Sequence, residues 1–414
     1  MRRWWPLTLR GSGAVVLAVA SLVIAQRAGI PELMYFGVLM AALLAAAAVT
    51  LLIARRTDRV TRTVRPDVID VGSRTDVVVR VGLQTALPTA PGRWADTLAA
   101  GVSGNARGLF PATASSLGRD TVPVELRYEI VGRERGVHAL GPLEVVTTDP
   151  FGLVRRRFKL GRPSPITVAP AIVDLPPLPP TGGEAGGTRQ SSALQLGEGV
   201  DNLVARPYAP GDSMRRIHWR ATAHRDTLMV RQEEQESSPA ATVVLDRAPS
   251  RWSAAAGEAP SADIAFETAV SACVSAVARL VHEGYTVDVV DSDGELLAEP
   301  VDGGEEGEAR ALAASFAGLT ARVDGSSARV IPASAAVMMG PVVVVTSDPS
   351  RDPALVPGAF AQRSALPIMV VVAPQPDLDA PLAAGWRVAS VRPGGDIAAA
   401  WAEATERGLA DVGR

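Results

Sequence analysis

The chain has 414 residues, 47% of them hydrophobic but only 4% aromatic, and a formal net charge of −3 at pH 7. Its length exceeds one compact domain and predicts two or three, and the near-neutral balance gives no global reason to expect a nucleic-acid partner. The single Cys273 excludes an intrachain disulfide and reads as a small buried core residue.

Two apolar runs, Gly11 to Ala25 and Leu33 to Ile53, open the sequence. The second has the ~20 residues that a spanning helix needs, and the first reaches that length by including Leu7 to Leu9 with Arg10 snorkelling. A secretory signal peptide is the rival reading of the first run. The closeness of the second favours a transmembrane helical hairpin within residues 1–58, with spans at about 8–26 and 33–53. Trp4 and Trp5 stand where an interfacial aromatic belt is expected. Arg2, Arg3 and Arg10 precede the first span, and Arg55, Arg56, Arg59, Arg62 and Arg65 follow the second, with Arg27 alone between them. That excess predicts a bacterial plasma-membrane protein with both termini and all soluble parts in the cytoplasm.

Residues 59–170 change to short segments with β-type alternation, among them V-V-V-R-V-G-L, V-P-V-E-L-R-Y-E-I, L-E-V-V-T-T, V-R-R-R-F-K-L and I-T-V-A-P. Gly, Pro and Asp-rich turns separate them, as in an all-β sandwich-like domain. Between Leu87 and Gly118 the pattern supports no strand. Within Val131 to Leu153 glycines and prolines punctuate two expected strands and a D-P-F-G turn, with His138 an ordinary strand residue. Residues 171–199 read as a Pro/Gly-rich linker, L-P-P-L-P-P being stiff and T-G-G-E-A-G-G-T flexible, so the flanking parts are free to move.

Within residues 242–414 strands and helices alternate. A-T-V-V-L-D, Y-T-V-D-V-V-D, P-V-V-V-V-T-S-D, P-I-M-V-V-V and W-R-V-A-S-V are strand patterns. Helices are expected over Asp263–Glu283, Glu305–Leu319 and Asp396–Arg407. Near-continuous Val/Ile strands between helices imply a mainly parallel sheet covered on both faces. The order resembles a von Willebrand factor A-type α/β domain. That resemblance implies an oxygen-ligand metal site with a D-x-S-x-S motif, a distant Thr and an Asp at the end of a central strand. Here Asp246 and Ser250 match and Asp348 is a further candidate, but Ala248 replaces a hydroxyl and Arg247 introduces a cation. The expected site is therefore degenerate, with Mg²⁺ as its only candidate cofactor.

Residues 200–241 hold the most unusual stretch of the chain. Arg206 to Glu236 carries six arginines, two histidines, a tryptophan and a tyrosine, and ends in an acidic run. Tyr208-Ala209-Pro210-Gly211-Asp212 is a turn by composition. Asp212 and Ser213 are candidate caps for a short helix, Ile217 and Trp219 are apolar anchors, and L-M-V-R-Q-E is a strand with Leu228 and Val230 on one face. The string Y-x-P-G-D-x-x-R-x-I-H-W-x-x-[TS]-A followed by L-x-V-R-x-x-E resembles the signature of the domain-of-unknown-function family DUF58. The matching positions are Arg206, Tyr208, Pro210, Gly211, Asp212, Arg215, Ile217, His218, Trp219, Ala223, Leu228, Val230, Arg231 and Glu234, with Arg216, Arg220 and Arg225 beside them. The resemblance implies a membrane-anchored adaptor that works with a MoxR-type AAA+ ATPase, and it supplies no reaction.

Three readings of the segment stay open. Its arginines pair with Asp212, Glu233, Glu234 and Glu236 in a structural network. Or several remain unpaired and form a patch for an acidic surface or a phosphate. Or Asp212 orients His218 as the base of a hydrolase-like enzyme. A non-enzymatic adaptor is the function expected from the whole, with an enzyme or a metal-dependent ligand binder as the alternatives.

Overall fold

The computed structural model describes residues 6–53, 59–83, 90–112, 122–179, 203–207, 214, 217, 219–225, 227–233, 239–323, 340–347, 349, 361 and 364–410. The two apolar runs form antiparallel helices, α1 (Leu9–Ala28) and α2 (Pro31–Ile53). Thr8 caps α1 by accepting from the Gly11 amide, and Gly29, in the left-handed region at φ 68°, ends it. Both helices are long and apolar enough to cross a membrane, and their large side chains, Val16, Leu17, Val19, Met34 and Leu39 among them, are exposed.

The β-rich part contains two sheets. One has the order β1 (Arg59–Arg65), β3 (Arg74–Leu83), β7 (Val122–Gly132), β5 (Val102–Gly104). The other runs β2 (Val68–Asp70), β10 (Ser164–Ala169), β8 (Gly136–Thr148), β4 (Gly92–Leu98), β6 (Arg107–Phe110), with β9 (Arg155–Leu160) also paired to β8. Val77, Val79, Val81, Leu126 and Ile130 of the first sheet and Trp94, Leu140, Leu143, Val145 and Ile166 of the second share one apolar core. A buried ion pair joins the sheets: Arg62 donates from Nε and Nη2 to Asp96 at 2.8 and 2.9 Å, and the Tyr128 hydroxyl donates to Asp96 at 2.8 Å. Burial, then the neighbouring Asp96, pushes the Tyr128 hydroxyl far above its ordinary pKa.

Three expectations change here. Arg62 does not belong with the headgroup-facing cations, because its guanidinium lies inside this core. Strands β4, β5 and β6 occupy the stretch that supported none. Gly141 and Pro142 do not divide the stretch from Val131 to Leu153 as expected: β8 runs through them as one strand, and His138 sits within it, its Nε2 2.7 Å from the Glu134 carbonyl oxygen.

The C-terminal part is a five-stranded parallel sheet, ordered β14 (Thr286–Asp291), β13 (Ala240–Leu245), β15 (Pro341–Thr346), β16 (Leu366–Val372), β17 (Arg387–Val391). The Val runs of β13 and β15 are buried on both faces, which is why they lack alternation. Helix α5 (Ile264–His282) packs on the sheet through Phe266, Val270, Cys273, Val274, Val277 and Leu280, and Asp263 caps it by accepting from the Ala265 and Phe266 amides. Ile264, in its first turn, faces outward instead. Burial pushes the Cys273 thiol up to about 12. Short α4 (Ala255–Glu258), α6 (Glu306–Ser315), α7 (Asp379–Ala383) and α8 (Ile397–Ala410) complete the layers.

The proline-rich segment does not behave as a free spacer over its first nine residues. Backbone groups of Ala171–Pro179 are bonded to the C-terminal part: Ser271 Oγ donates to Ala171 O, Val173 N to Ser275 Oγ, Arg279 to Leu175 O, Leu178 N to Glu283, and Trp401 Nε1 to Pro176 O. Leu175 is 2% exposed within the C-terminal core. An extended proline-containing strand has few internal partners, so a helix face lined with hydroxyl, guanidinium and carboxylate groups satisfies it. A second tie is Arg135, 1% exposed, in the β7–β8 turn. It donates to Phe316 O at 2.8 Å, Leu319 O at 2.6 Å and Glu267 at 2.7 Å, and lies over the Phe266 ring. Residues 180–199, the glycine-rich half of the expected linker, lie outside the described residues.

Candidate functional site

The parallel sheet has one place where neighbouring strands leave in opposite directions of chain order, between β13 and β15. Open α/β sheets collect ligands at the carboxyl ends of the strands beside such a switch point. Asp246 follows β13 there, Asp291 ends β14, and Thr346 ends β15. All three are fully buried.

Both carboxylate oxygens of Asp246 are engaged. Arg251 lies 3.0 Å from Oδ1 and 2.9 Å from Oδ2, Thr346 Oγ1 donates to Oδ2 at 2.7 Å, and the Ala248 amide donates to Oδ1 at 3.0 Å. Trp252 Nε1 donates to the Asp246 carbonyl at 2.7 Å, and Ser347 Oγ to that of Arg251 at 2.7 Å, so the loop carrying the guanidinium is fixed at both ends. Asp291 accepts from Ser292, and Arg247 and Arg322 both approach it at 3.5 Å. Arg322 also pairs with Asp293 and donates to Ser292 Oγ at 3.1 Å. Three carboxylates thus face three guanidiniums.

Burial pushes the Asp246 carboxyl above its ordinary value, with Arg251, Thr346 and Ala248 opposing. Burial works against the Arg322 guanidinium, but Asp293, Asp291 and Asp246 outweigh it and hold it above its ordinary value.

These residues do not fit a resident divalent cation as they stand. A cation at Asp246 must displace Arg251, Ala248 offers no hydroxyl, and Ser250 is exposed in a turn. Asp348, the third candidate ligand, lies outside the described residues. Sequence reading noted the intrusive Arg247 but missed Arg251, whose position five residues after Asp246 gave no periodic signal. It also missed Arg322, which is far away in sequence.

The arginine-rich stretch is only partly described. A two-stranded antiparallel ribbon, β11 (Leu203–Pro207) with β12 (Met229–Glu233), brackets helix α3 (Trp219–Arg225). Arg206 and Arg231 lie in these strands. Tyr208, Pro210, Gly211, Asp212, Arg215, Arg216, His218 and Glu234 lie outside the described residues, as do the side chains of Arg206, Arg220 and Arg231. Ile217 is 6% exposed and bridges to Val230, itself buried, as an anchor should. Trp219 does not pack on the sheet: it is 69% exposed at the start of α3. Leu228 precedes β12 and is also exposed, whereas Met229 fills the core position at 1% exposure. Arg225 is exposed on α3.

The family model described as "Protein of unknown function DUF58" matches residues 204–330. The chain carries a DUF58 region. That region spans the ribbon, α3, β13, α5, β14 and α6, and so includes Asp246, Arg251, Asp291 and Arg322 of the strand-end cluster. No curated protein matches the chain. Solved structures similar to part of it include a cohesin module from the family 33 glycoside hydrolase of Clostridium perfringens, 13% identical, covering 28% of this chain and 98% of that one with a TM-score of 0.18. A FixG-related protein from Vibrio parahaemolyticus is 8% identical over 27% of this chain and 98% of that one, TM-score 0.16. A conjugative transposon lipoprotein from Bacteroides eggerthii is 13% identical over 25% and 97%, TM-score 0.14.

Proposed function

We propose that this DUF58 protein is a membrane-anchored adaptor, held by two spans with its soluble parts in the cytoplasm of a bacterium, that works through protein–protein contacts with a MoxR-type AAA+ ATPase and catalyses no reaction itself. One observation carries the non-enzymatic part: the strand-end cluster spends its three carboxylates on its own three guanidiniums. A general acid or base needs a polar group that substrate can reach. Asp246 and Asp291 are fully buried and committed.

In the same reading the unit of residues 59–170 is a β-sandwich. The unit of residues 242–414 is a von Willebrand A-like domain in which Arg251 supplies the positive charge in place of Mg²⁺. The pairing of Leu7 with Val154 supports a hairpin whose two outer ends lie on the side of the β-rich unit, and the basic flanks support the cytoplasm as that side.

The test is co-purification of the full-length protein from detergent with a MoxR-type ATPase of the same cell, together with ATP turnover of that ATPase with and without it. Recovery of the pair and a changed turnover are expected. An ATPase that neither co-purifies nor changes its rate overturns the proposal. Calorimetric titration of the full-length protein with Mg²⁺ is expected to show no binding heat.

A further inference from the structure

The turn between β8 and β9, Asp149-Pro150-Phe151-Gly152-Leu153-Val154, is built to hold its tip rigid. Asp149 is 1% exposed, and its carboxylate accepts from the Phe151 amide at 2.8 Å and the Val154 amide at 2.6 Å. Gly152 adopts φ 69° and donates back to the Asp149 carbonyl. This closed loop nonetheless leaves Phe151 52% exposed. The opposite side of the turn is bonded to the entry of α1. Thr8 N donates to Leu153 O at 2.9 Å, Thr8 Oγ1 to Gly152 O at 2.6 Å, and Arg155 N to Pro6 O at 2.7 Å. Gly11 approaches so closely that a Cβ there would collide with Leu153 O.

Depth follows from these bonds. With a rise of about 1.5 Å per residue, the 20 residues of α1 cover about 30 Å, the hydrocarbon thickness of a bilayer. Leu9 then marks the boundary, and whatever is bonded to residues 6–8 lies in the headgroup layer. An aromatic ring favours that layer, and an arginine there meets lipid phosphate. Arg10 is exposed and reaches to within 3.9 Å of where a Gly152 Cβ would stand.

We propose that the Asp149–Val154 turn is a membrane-surface contact, with Phe151 entering the lipid headgroup layer beside the start of α1. This rests on the reading of α1 and α2 as bilayer spans. It makes the β-rich unit a body seated on the membrane, in place of one hanging from a tether.

The test uses the full-length protein in vesicles of phosphatidylcholine and phosphatidylglycerol. Cys273 is buried, so an introduced cysteine is the thiol that labels. An environment-sensitive fluorophore is placed by Phe151→Cys, by Val16→Cys on α1 and by Val323→Cys, whose parent residue is 84% exposed in the C-terminal part. Expected is blue-shifted emission at position 151, quenched several-fold more by headgroup-region nitroxide lipid than at position 323 and less by aqueous iodide. Iodide quenching at 151 equal to that at 323, with the probe at 16 still quenched by lipid, overturns the contact and leaves the anchor standing. Loss of lipid quenching at 16 as well overturns both.

Discussion

Replacing Arg251 by Met tests whether the strand-end cluster is a structural pair. Arg251 and Asp246 are 4% and 0% exposed, so the substitution leaves a carboxylate in the protein interior with only neutral donors bonded to it, the Thr346 and Ser292 hydroxyls and the Ala248 amide. Removing one partner of a buried pair costs about 3–5 kcal/mol, whereas replacing both by neutral groups of similar shape is close to neutral. Arg251→Met is therefore expected to lose about 3–5 kcal/mol, and Asp246→Asn/Arg251→Met to recover most of it. Denaturant unfolding of the detergent-solubilised chain reads both, with Trp252, bonded to the Asp246 carbonyl, as a nearby fluorophore. The pH dependence has a definite sign. Burial raises the Asp246 carboxyl in the folded state, so the folded protein holds that proton more tightly than the unfolded one. Stability from this group then falls as pH rises from the ordinary carboxylate range through the folded value. Without Arg251, the largest of the opposing influences is gone and the decline extends to higher pH. The gap between Arg251→Met and wild type should shrink in acid, and the double variant, which lacks this carboxyl, should lose this part of the pH dependence. A single-variant loss under about 1 kcal/mol, or no recovery in the double variant, refutes the reasoning.

Arg135→Ala removes a donor from Phe316 O, Leu319 O and Glu267; the Leu319 amide still reaches Phe316 O and the Ser261 amide still reaches Glu267, so a loss of about 1–3 kcal/mol in all is expected, and hydrogen exchange should quicken first around residues 316–321. Unchanged exchange there would remove Arg135 as the tie between the parts. Trp401→Phe deletes the bond to Pro176 O, worth about 1 kcal/mol, and adds the cost of the cavity left by part of a fully buried indole, with faster exchange expected over residues 171–179. Gly11→Ala must displace the β8–β9 turn from α1, while Gly13→Ala, with nothing within 4 Å of its added Cβ, should be neutral or gain up to about 1 kcal/mol. Equal thermal shifts for the two alanines would show that the contact at Leu153 is not close.

What the sequence made legible is what depends on local periodicity. The apolar runs, the buried Val strands and the Asp263-capped helix each announce themselves within about twenty residues. Strand β4 did not, because Asp96 stands at an inward position where alternation demands an apolar side chain. Its burial is stabilised by Arg62 and Tyr128, which lie 34 and 32 residues away. The same holds for Asp246, visible as a strand-end carboxylate but not as the partner of a buried arginine. Proline content likewise gave the wrong expectation for the freedom of Ala171–Pro179, since the segment binds through backbone groups that composition does not reveal. Trp219, read as an apolar anchor beside Ile217, is instead the start of a short, exposed helix.

The same bonds link the parts of the chain mechanically. A chain of parts on flexible tethers transmits only by local concentration. Here the entry of α1 is bonded to the β8–β9 turn, and the β7–β8 turn inserts Arg135 into the C-terminal part. The segment after β10 lies along α5. Helix α5 is the common element: Glu267 receives Arg135, its Ser271, Ser275 and Arg279 side chains hold the backbone of residues 171–175, and its apolar face carries β13, the strand that ends at Asp246. A partner that shifts α5 on the sheet must therefore work against buried bonds leading both to the strand-end cluster and, through the β-rich unit, to the base of α1. Coupling of that kind is a property of packed two-state contacts. It is measurable as non-additivity between Arg135→Ala and Arg251→Met, two changes with no shared partner that would otherwise add within about 0.5 kcal/mol.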